Sequence, residues 1–211
     1  MMKPLAACSL YTFVDTAYLR GRDPLRVAAE LCEGGSDIIQ LRAKDLTPKE
    51  IAMIGTKILP IATEAGVWLV INDHPQIARQ IGAPLVHLGQ EDFFQMGVSA
   101  AAGQVFGLSS HAPEEAERAI AADAAYIAIG PVYPTPTKPT VKPVTLEYVR
   151  WAAANVRLPW FAIGGINLQN MADVLAAGAT RVCVVSAILN SPDIRQACQD
   201  FKRRLTSAAR V

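Results

Sequence analysis

Eight short apolar runs rich in β-formers recur along the chain, and most are followed by a stretch of helical periodicity; this alternation restricts the fold more than any single motif. Strands are predicted at Ser9–Val14, Asp37–Leu41, Trp68–Ile71, Leu85–Leu88, Gln104–Leu108, Tyr126–Ile129, Trp160–Ile163 and Arg181–Val185. Helices are predicted over Pro24–Glu33, Pro48–Ala65, Pro113–Ala122, Thr145–Ala154, Gln169–Ala177 and Asp193–Ser207, several opening with the Thr, Asp or Pro that first turns favour. Uninterrupted apolar strands such as Tyr126-Ile127-Ala128-Ile129 suit a parallel sheet buried on both faces. Repeated βα units in this number predict an α/β fold, a (β/α)8 TIM barrel with parallel strands, as one domain spanning residues 1–211. With 51% hydrophobic residues the chain can fill such a core.

Charge narrows the partners. Twenty Lys and Arg face nineteen Asp and Glu, scattered along the chain for a net +1, so neither nucleic acid nor a membrane surface is indicated. No apolar run approaches the ~20 residues of a membrane span. Leu5-Ala6-Ala7-Cys8 resembles a lipoprotein processing site, but the apolar stretch before Cys8 is shorter than the ~7–15 residues of a signal core. Cys8, Cys32, Cys183 and Cys198 form no C-x-x-C pair and are expected to be reduced packing residues. The expectation is a soluble cytoplasmic protein acting on small molecules, with homo-oligomerisation left open.

In a barrel of this type the active site lies at the carboxyl ends of the strands. The second strand ends Gln40-Leu41-Arg42-Ala43-Lys44, where a period of two puts Gln40, Arg42 and Lys44 on one face. Two neighbouring cations need an anion; a salt-bridged strand end using Asp45 is the structural alternative. The third strand ends Ile71-Asn72-Asp73, and the fourth continues through His87-Leu88-Gly89-Gln90-Glu91-Asp92. Asp73 and Asp92 could therefore share one hard cation, and magnesium, which keeps waters and bridges phosphates, suits two carboxylates. Pro131–Pro143 carries five prolines and three threonines, a stiff loop that offers Thr135, Thr137 and Lys138 to a phosphate. Gly164-Gly165 and a helix start after Ser186 add a second anion site, at the loops that recurrently bind phosphate in this fold. His87 is read as packed or hydrogen-bonded near the site, His74 as structural, and His111 as a helix-start or mouth residue.

These motifs together resemble thiamine-phosphate synthases: Gln40 to Lys44, Ile71 to Asp73, His87 to Asp92, Gly107-Leu108-Ser109, Gly130 to Lys138, Ala162 to Ile166 and Val184 to Ile188 occur in the family's order across most of the chain. The resemblance implies a transferase that couples hydroxymethylpyrimidine diphosphate to thiazole phosphate, or its carboxylated form, releasing pyrophosphate through a pyrimidine-methyl cation. It implies Mg2+ at Asp73 and Asp92, and a diphosphate held by Arg42, Lys44, Asn72, Ser109 and Lys138, with Gln40 near the pyrimidine or its diphosphate. The thiazole phosphate would meet Thr135, Thr137, Gly165, Val185 and Ser186. Arg42, Lys44, Ser109 and Lys138 are the residues expected to act in catalysis. Three positions depart from the family: Ala83-Pro84-Leu85 replaces a common Ala-Asp-Gly, Ala43 a frequent Glu, and Val144-Thr145 lacks a common Gly. Other readings of such a barrel are a thiazole tautomerase-like isomerase, a sugar-phosphate isomerase or aldolase using Lys44 or Lys138 as Schiff-base lysine, and a non-catalytic binder of thiamine phosphates. Retention of Asp73, Asp92 and Thr135 to Lys138 argues against the tautomerase.

Overall fold

Parallel pairing runs unbroken around a ring of eight strands, β1 (Leu10–Asp15), β2 (Ile38–Arg42), β3 (Trp68–Asn72), β4 (Leu85–Leu88), β5 (Val105–Ser110), β6 (Tyr126–Ile129), β7 (Trp160–Ile163) and β8 (Val182–Cys183), closing the predicted barrel. The computed structural model describes residues 2–96, 103–135, 137 and 142–208. Among these, helices α1 (Thr16–Leu19), α2 (Pro24–Glu33), α3 (Pro48–Glu64), α4 (Pro75–Ile81), α5 (Gln90–Met96), α6 (Pro113–Ala121), α7 (Thr145–Asn155), α8 (Met171–Ala176), α9 (Ser186–Leu189) and α10 (Ile194–Ala208) link or follow the strands. No helix among the described residues is long and apolar enough to cross a membrane.

Proline opens α2, α3, α4 and α6, where its missing N–H costs nothing and its fixed φ suits the first turn. Asp23 caps α2 by accepting from the Leu25 amide, and Thr47 and Glu50 form a reciprocal capping box on α3. The strand face alternates in step. Tyr11, Phe13, Ile38, Val70, Leu85, Tyr126, Phe161 and Cys183 fill the barrel interior, whereas Leu10, Val14, Ile39, Leu41, Ile71, Val86, Leu108, Ile127 and Ala162 pack outward against the helices. Leu41 and Ala43 thus take the helix-facing side, as the period of two predicts. The four cysteines are free and three are buried.

Strand β8 is shorter than predicted, with two rungs to β1, Leu10 to Val182 and Tyr11 to Cys183. Beyond them Val185 leaves the extended region with φ −108° and ψ −85°, so the chain turns into α9. At the amino ends of the strands, buried Asp37 ties three parts of the chain together. It accepts from the amides of Ser9 (2.8 Å) and Leu10 (3.1 Å), from the Lys3 ammonium (2.7 Å) and from the Lys202 ammonium on α10.

Thr145, at the position where the sequence departs from the family pattern it resembles, opens α7 with a left-handed φ of 63°. A β-branched residue there stores strain of roughly 1–3 kcal/mol. Its hydroxyl recovers part by accepting from the Glu147 amide at 3.3 Å. Thr145→Gly is therefore expected to raise thermal stability by about 1 kcal/mol, or about 2–4 °C in Tm. A Tm that falls on thermal melting would show that the hydroxyl outweighs the strain.

Candidate active site

The carboxyl ends of the strands enclose an open pocket of about 850 Å³, including the solvent at its mouth. Its floor is aromatic: Tyr11 stacks on Phe13 with ring centroids 5.2 Å apart, and the Phe161 edge meets Tyr11 at 5.5 Å. Gln40 and Arg42 of β2, Asn72 of β3, His87 of β4 and Ser109 of β5 line one arc. Thr135, Thr137, Gly165, Val185 and Ser186 line the arc formed by the loops after β6, β7 and β8. Nine residues predicted for substrate binding thus meet in one cavity.

Arg42 is held from below. Its Nη1 donates to Asp15 Oδ2 at 2.8 Å, and Asp15, with a side chain only 1% exposed, also accepts from the Ala17 amide at 3.1 Å. Asp15 therefore fills the role suggested for Asp45, which instead accepts from the Thr16 hydroxyl. A guanidinium has five donors, so one bond to Asp15 orients the group and leaves others for an anion in the pocket.

Lys44 stands at the rim, 60% exposed, with Nζ 3.4 Å from Asp73 Oδ2. Asp73 adopts φ 63°, a left-handed conformation that Asp tolerates, and its amide donates to the His87 carbonyl at 2.9 Å, binding loop 3 to β4. Asp92 departs from the expected placement: the chain turns at Gly89 into α5, so Asp92 lies in a helical first turn and not on a strand extension. Both carboxylates still follow neighbouring strands. Carboxylate oxygens are hard donors of the kind that would suit a cation that keeps its waters. Among the described residues no group of three or more His, Cys, Asp or Glu side chains could hold a metal by itself. Lys138 lies outside the described residues.

The second arc is built by backbone fit. Tyr133 donates its amide to the Gly164 carbonyl at 3.0 Å, and Val132 to that of Ile163 at 2.8 Å, so the proline-rich loop lies on loop 7. A Cβ on Gly164 would sit 2.4 Å from Pro131, and Gly164 has φ 100°; only glycine permits this approach. Asn170 braces the turn by donating to the Gly165 carbonyl at 2.9 Å. Across the mouth, the Tyr18 and Thr137 hydroxyls are 2.8 Å apart. Helix α9 has four residues, so its dipole is small; its contribution is the Ser186 hydroxyl and first-turn amides.

Sequence reading missed the aromatic floor and a buried chain of polar groups joined to it. Gln40 Nε2 donates to Tyr11 Oη at 2.6 Å, Tyr11 and Tyr126 Oη are 3.0 Å apart, Tyr126 Oη lies 3.1 Å from His87 Nδ1, and His87 Nε2 lies 3.0 Å from Ser109 Oγ. Burial pushes both tyrosine pKa values upward, so the phenols keep their protons. Tyr11, Phe13 and Asp15 share one face of β1 by the same alternation that exposed Gln40 and Arg42, so the signal was present in the sequence. His111 lines the mouth, and its Nδ1 lies 3.1 Å from Glu115 Oε2. His74 precedes α4 and makes no side-chain cap bond.

The family model described as Thiamine monophosphate synthase matches residues 10–188. The chain is similar to the thiamine-phosphate synthase of Thermus thermophilus, 44% identical over 177 residues, covering 83% of this chain and 86% of the relative. It is 41% identical to that of Acidothermus cellulolyticus, covering 99% of this chain and 100% of the relative. Among solved structures, the thiamine phosphate pyrophosphorylase of Pyrococcus furiosus superposes with a TM-score of 0.88 at 28% identity, covering 98% of this chain and 99% of that one. A 3-hexulose-6-phosphate synthase, at 19% identity and TM-score 0.69, shares the fold alone.

Proposed function

The chain belongs to the thiamine monophosphate synthase family, a family of transferases in thiamine biosynthesis, and from that premise we propose that it condenses 4-amino-5-hydroxymethyl-2-methylpyrimidine diphosphate with 4-methyl-5-(2-hydroxyethyl)thiazole phosphate, releasing pyrophosphate. One observation carries the assignment of substrates: a single pocket has two polar arcs, Arg42, Asn72 and Ser109 on one side and Thr135, Thr137, Gly165 and Ser186 on the other, across an aromatic floor. Two anion-binding arcs suit two phosphorylated reactants, and a stacked aromatic surface between them suits flat rings.

In the proposed reaction Arg42, Lys44, Asn72, Ser109 and Lys138 bind the diphosphate. The bond between the pyrimidine methyl carbon and the diphosphate oxygen breaks, and its electron pair leaves with pyrophosphate. The thiazole nitrogen then donates its lone pair to the pyrimidine-methyl cation, forming the new C–N bond. Thr135, Thr137, Gly165, Val185 and Ser186 hold the thiazole phosphate so that this nitrogen faces the carbon. No protein nucleophile is required; the protein stabilises departing charge and aligns two reactants. Asp73 and Asp92 would hold Mg2+, which when bound supplies positive charge beside the leaving diphosphate. Phosphorylated substrates and four free cysteines accord with a cytoplasmic setting.

Pyrophosphate release tests the reading. Purified protein given both substrates and magnesium should release pyrophosphate and form thiamine phosphate in equal amounts, and omission of either substrate or addition of a chelator should abolish both. Isomerisation or binding of thiazole phosphate without pyrophosphate release would overturn it. Full activity in chelator would remove the metal from the scheme.

A further inference from the structure

We propose that Tyr11 and Tyr126 are positioning residues that set the direction of hydrogen bonding at Ser109, so that the Ser109 hydroxyl turns its proton toward the pocket. The inference rests on the reading of Ser109 as a diphosphate contact. It begins at the far end of the buried chain, with a group whose polarity is fixed. The Gln40 amide nitrogen only donates, so Tyr11 Oη accepts from it at 2.6 Å. Tyr11 has one proton, which passes to Tyr126 Oη at 3.0 Å. Tyr126 has one proton in turn, which passes to His87 Nδ1 at 3.1 Å. With Nδ1 accepting, the imidazole carries its proton on Nε2 and donates to Ser109 Oγ at 3.0 Å. Ser109 Oγ is then an acceptor within the chain, and its own proton is left for the ligand.

That direction suits the ligand. Phosphoryl oxygens only accept, and the reversed chain would point the proton of Ser109 at His87 and a lone pair at the phosphate. The four bonds link β2, β1, β6, β4 and β5, so closure of the barrel is what brings the partners together. Space for the central ring is built in at Gly107: a Cβ there would lie 2.1 Å from the Tyr126 ring. The same space accepts phenylalanine, so Tyr126→Phe removes the hydroxyl without altering the ring's shape.

The experiment reads the His87 tautomer by 15N NMR in ligand-free protein labelled at histidine, which has three such residues, His87 being assigned with His87→Asn. Wild type is expected to show the Nε2–H form. Tyr11→Phe is the decisive variant, because it leaves the Tyr126 and Ser109 hydroxyls beside His87 in place; it is expected to give a mixture of tautomers, as is Tyr126→Phe. Both variants should lower kcat/KM for the diphosphate substrate by about tenfold or more, with KM for thiazole phosphate nearly unchanged. An Nδ1–H form in wild type, or a tautomer and kcat/KM that neither variant moves, overturns the proposal. The two readings fail separately: the expected tautomers without pyrophosphate release would fault the substrate assignment, and thiamine phosphate formation with unmoved tautomers would fault the relay.

Discussion

Arg42→Ala is expected to lower kcat/KM for the pyrimidine diphosphate by roughly 10²–10³-fold, the range seen when one preorganised donor to developing negative charge is removed. The size follows from how the residue is held. Asp15 fixes the guanidinium from inside the barrel, so its remaining donors meet the anion without reorganisation, and the charge assists most as the diphosphate departs. The loss should fall on kcat as well as on KM for the diphosphate, with KM for thiazole phosphate changed little, because that phosphate is assigned to the other arc. Removing the cation also leaves the Asp15 carboxylate buried without its ionic partner, which destabilises the fold by about 3 kcal/mol. Activity should therefore be measured below the variant's own melting point and compared with Arg42→Lys, which keeps the charge but loses the fork. Near wild-type turnover in folded Arg42→Ala would remove Arg42 from the diphosphate site. Lys44→Ala is expected to lower turnover in the same direction.

Asp37→Asn should act at the opposite end of the barrel and on stability. Burial by itself would raise the Asp37 pKa, but the ammonium groups of Lys202 and Lys3 and the amides of Ser9 and Leu10 outweigh it and bring the carboxyl to about 2, against 3.8 for the free group. A depressed carboxyl contributes stability that is complete above the unfolded value and is lost as pH falls toward the folded one, because the unfolded chain takes up the proton first. The contribution is about 2–3 kcal/mol at neutral pH. Asp37→Asn should lower Tm at pH 7 by about 5–10 °C. The gap to wild type should narrow as the pH is lowered from about 4 to about 2, the interval the two pKa values define. Denaturant titrations at neutral and acid pH check this. A gap of equal size at both would assign the loss to packing. Activity of the folded variant should be preserved, since Asp37 lies at the amino ends of the strands and the pocket at the carboxyl ends.

The alternation of apolar runs with capped helical segments was sufficient to specify eight strands and a closed barrel, because each strand buries both faces and each helix one, which leaves few ways to cover them. The period of two along β2 placed Gln40 and Arg42 in the pocket and Leu41 and Ala43 against the helices before any partner was known. Glycine pairs and strand-end polar residues located both arcs. Short helices were less legible: α1, α4 and α5 span four to seven residues, too few for periodicity to register, and for that reason Asp92 was expected on a strand extension.

Residue type and spacing determined the fold, the end of the barrel that opens into the pocket, and most of the side chains gathered there. Tertiary structure alone decided the pairings: Arg42 with Asp15, Lys44 with Asp73, Asp37 with Lys3 and Lys202, and the chain from Gln40 to Ser109. These partners are separated by as many as 165 residues and lie on different strands, loops or helices. Periodicity along a strand reports which way a side chain faces, whereas its partner depends on how neighbouring strands are staggered when the barrel closes, and that shear is a property of the whole ring.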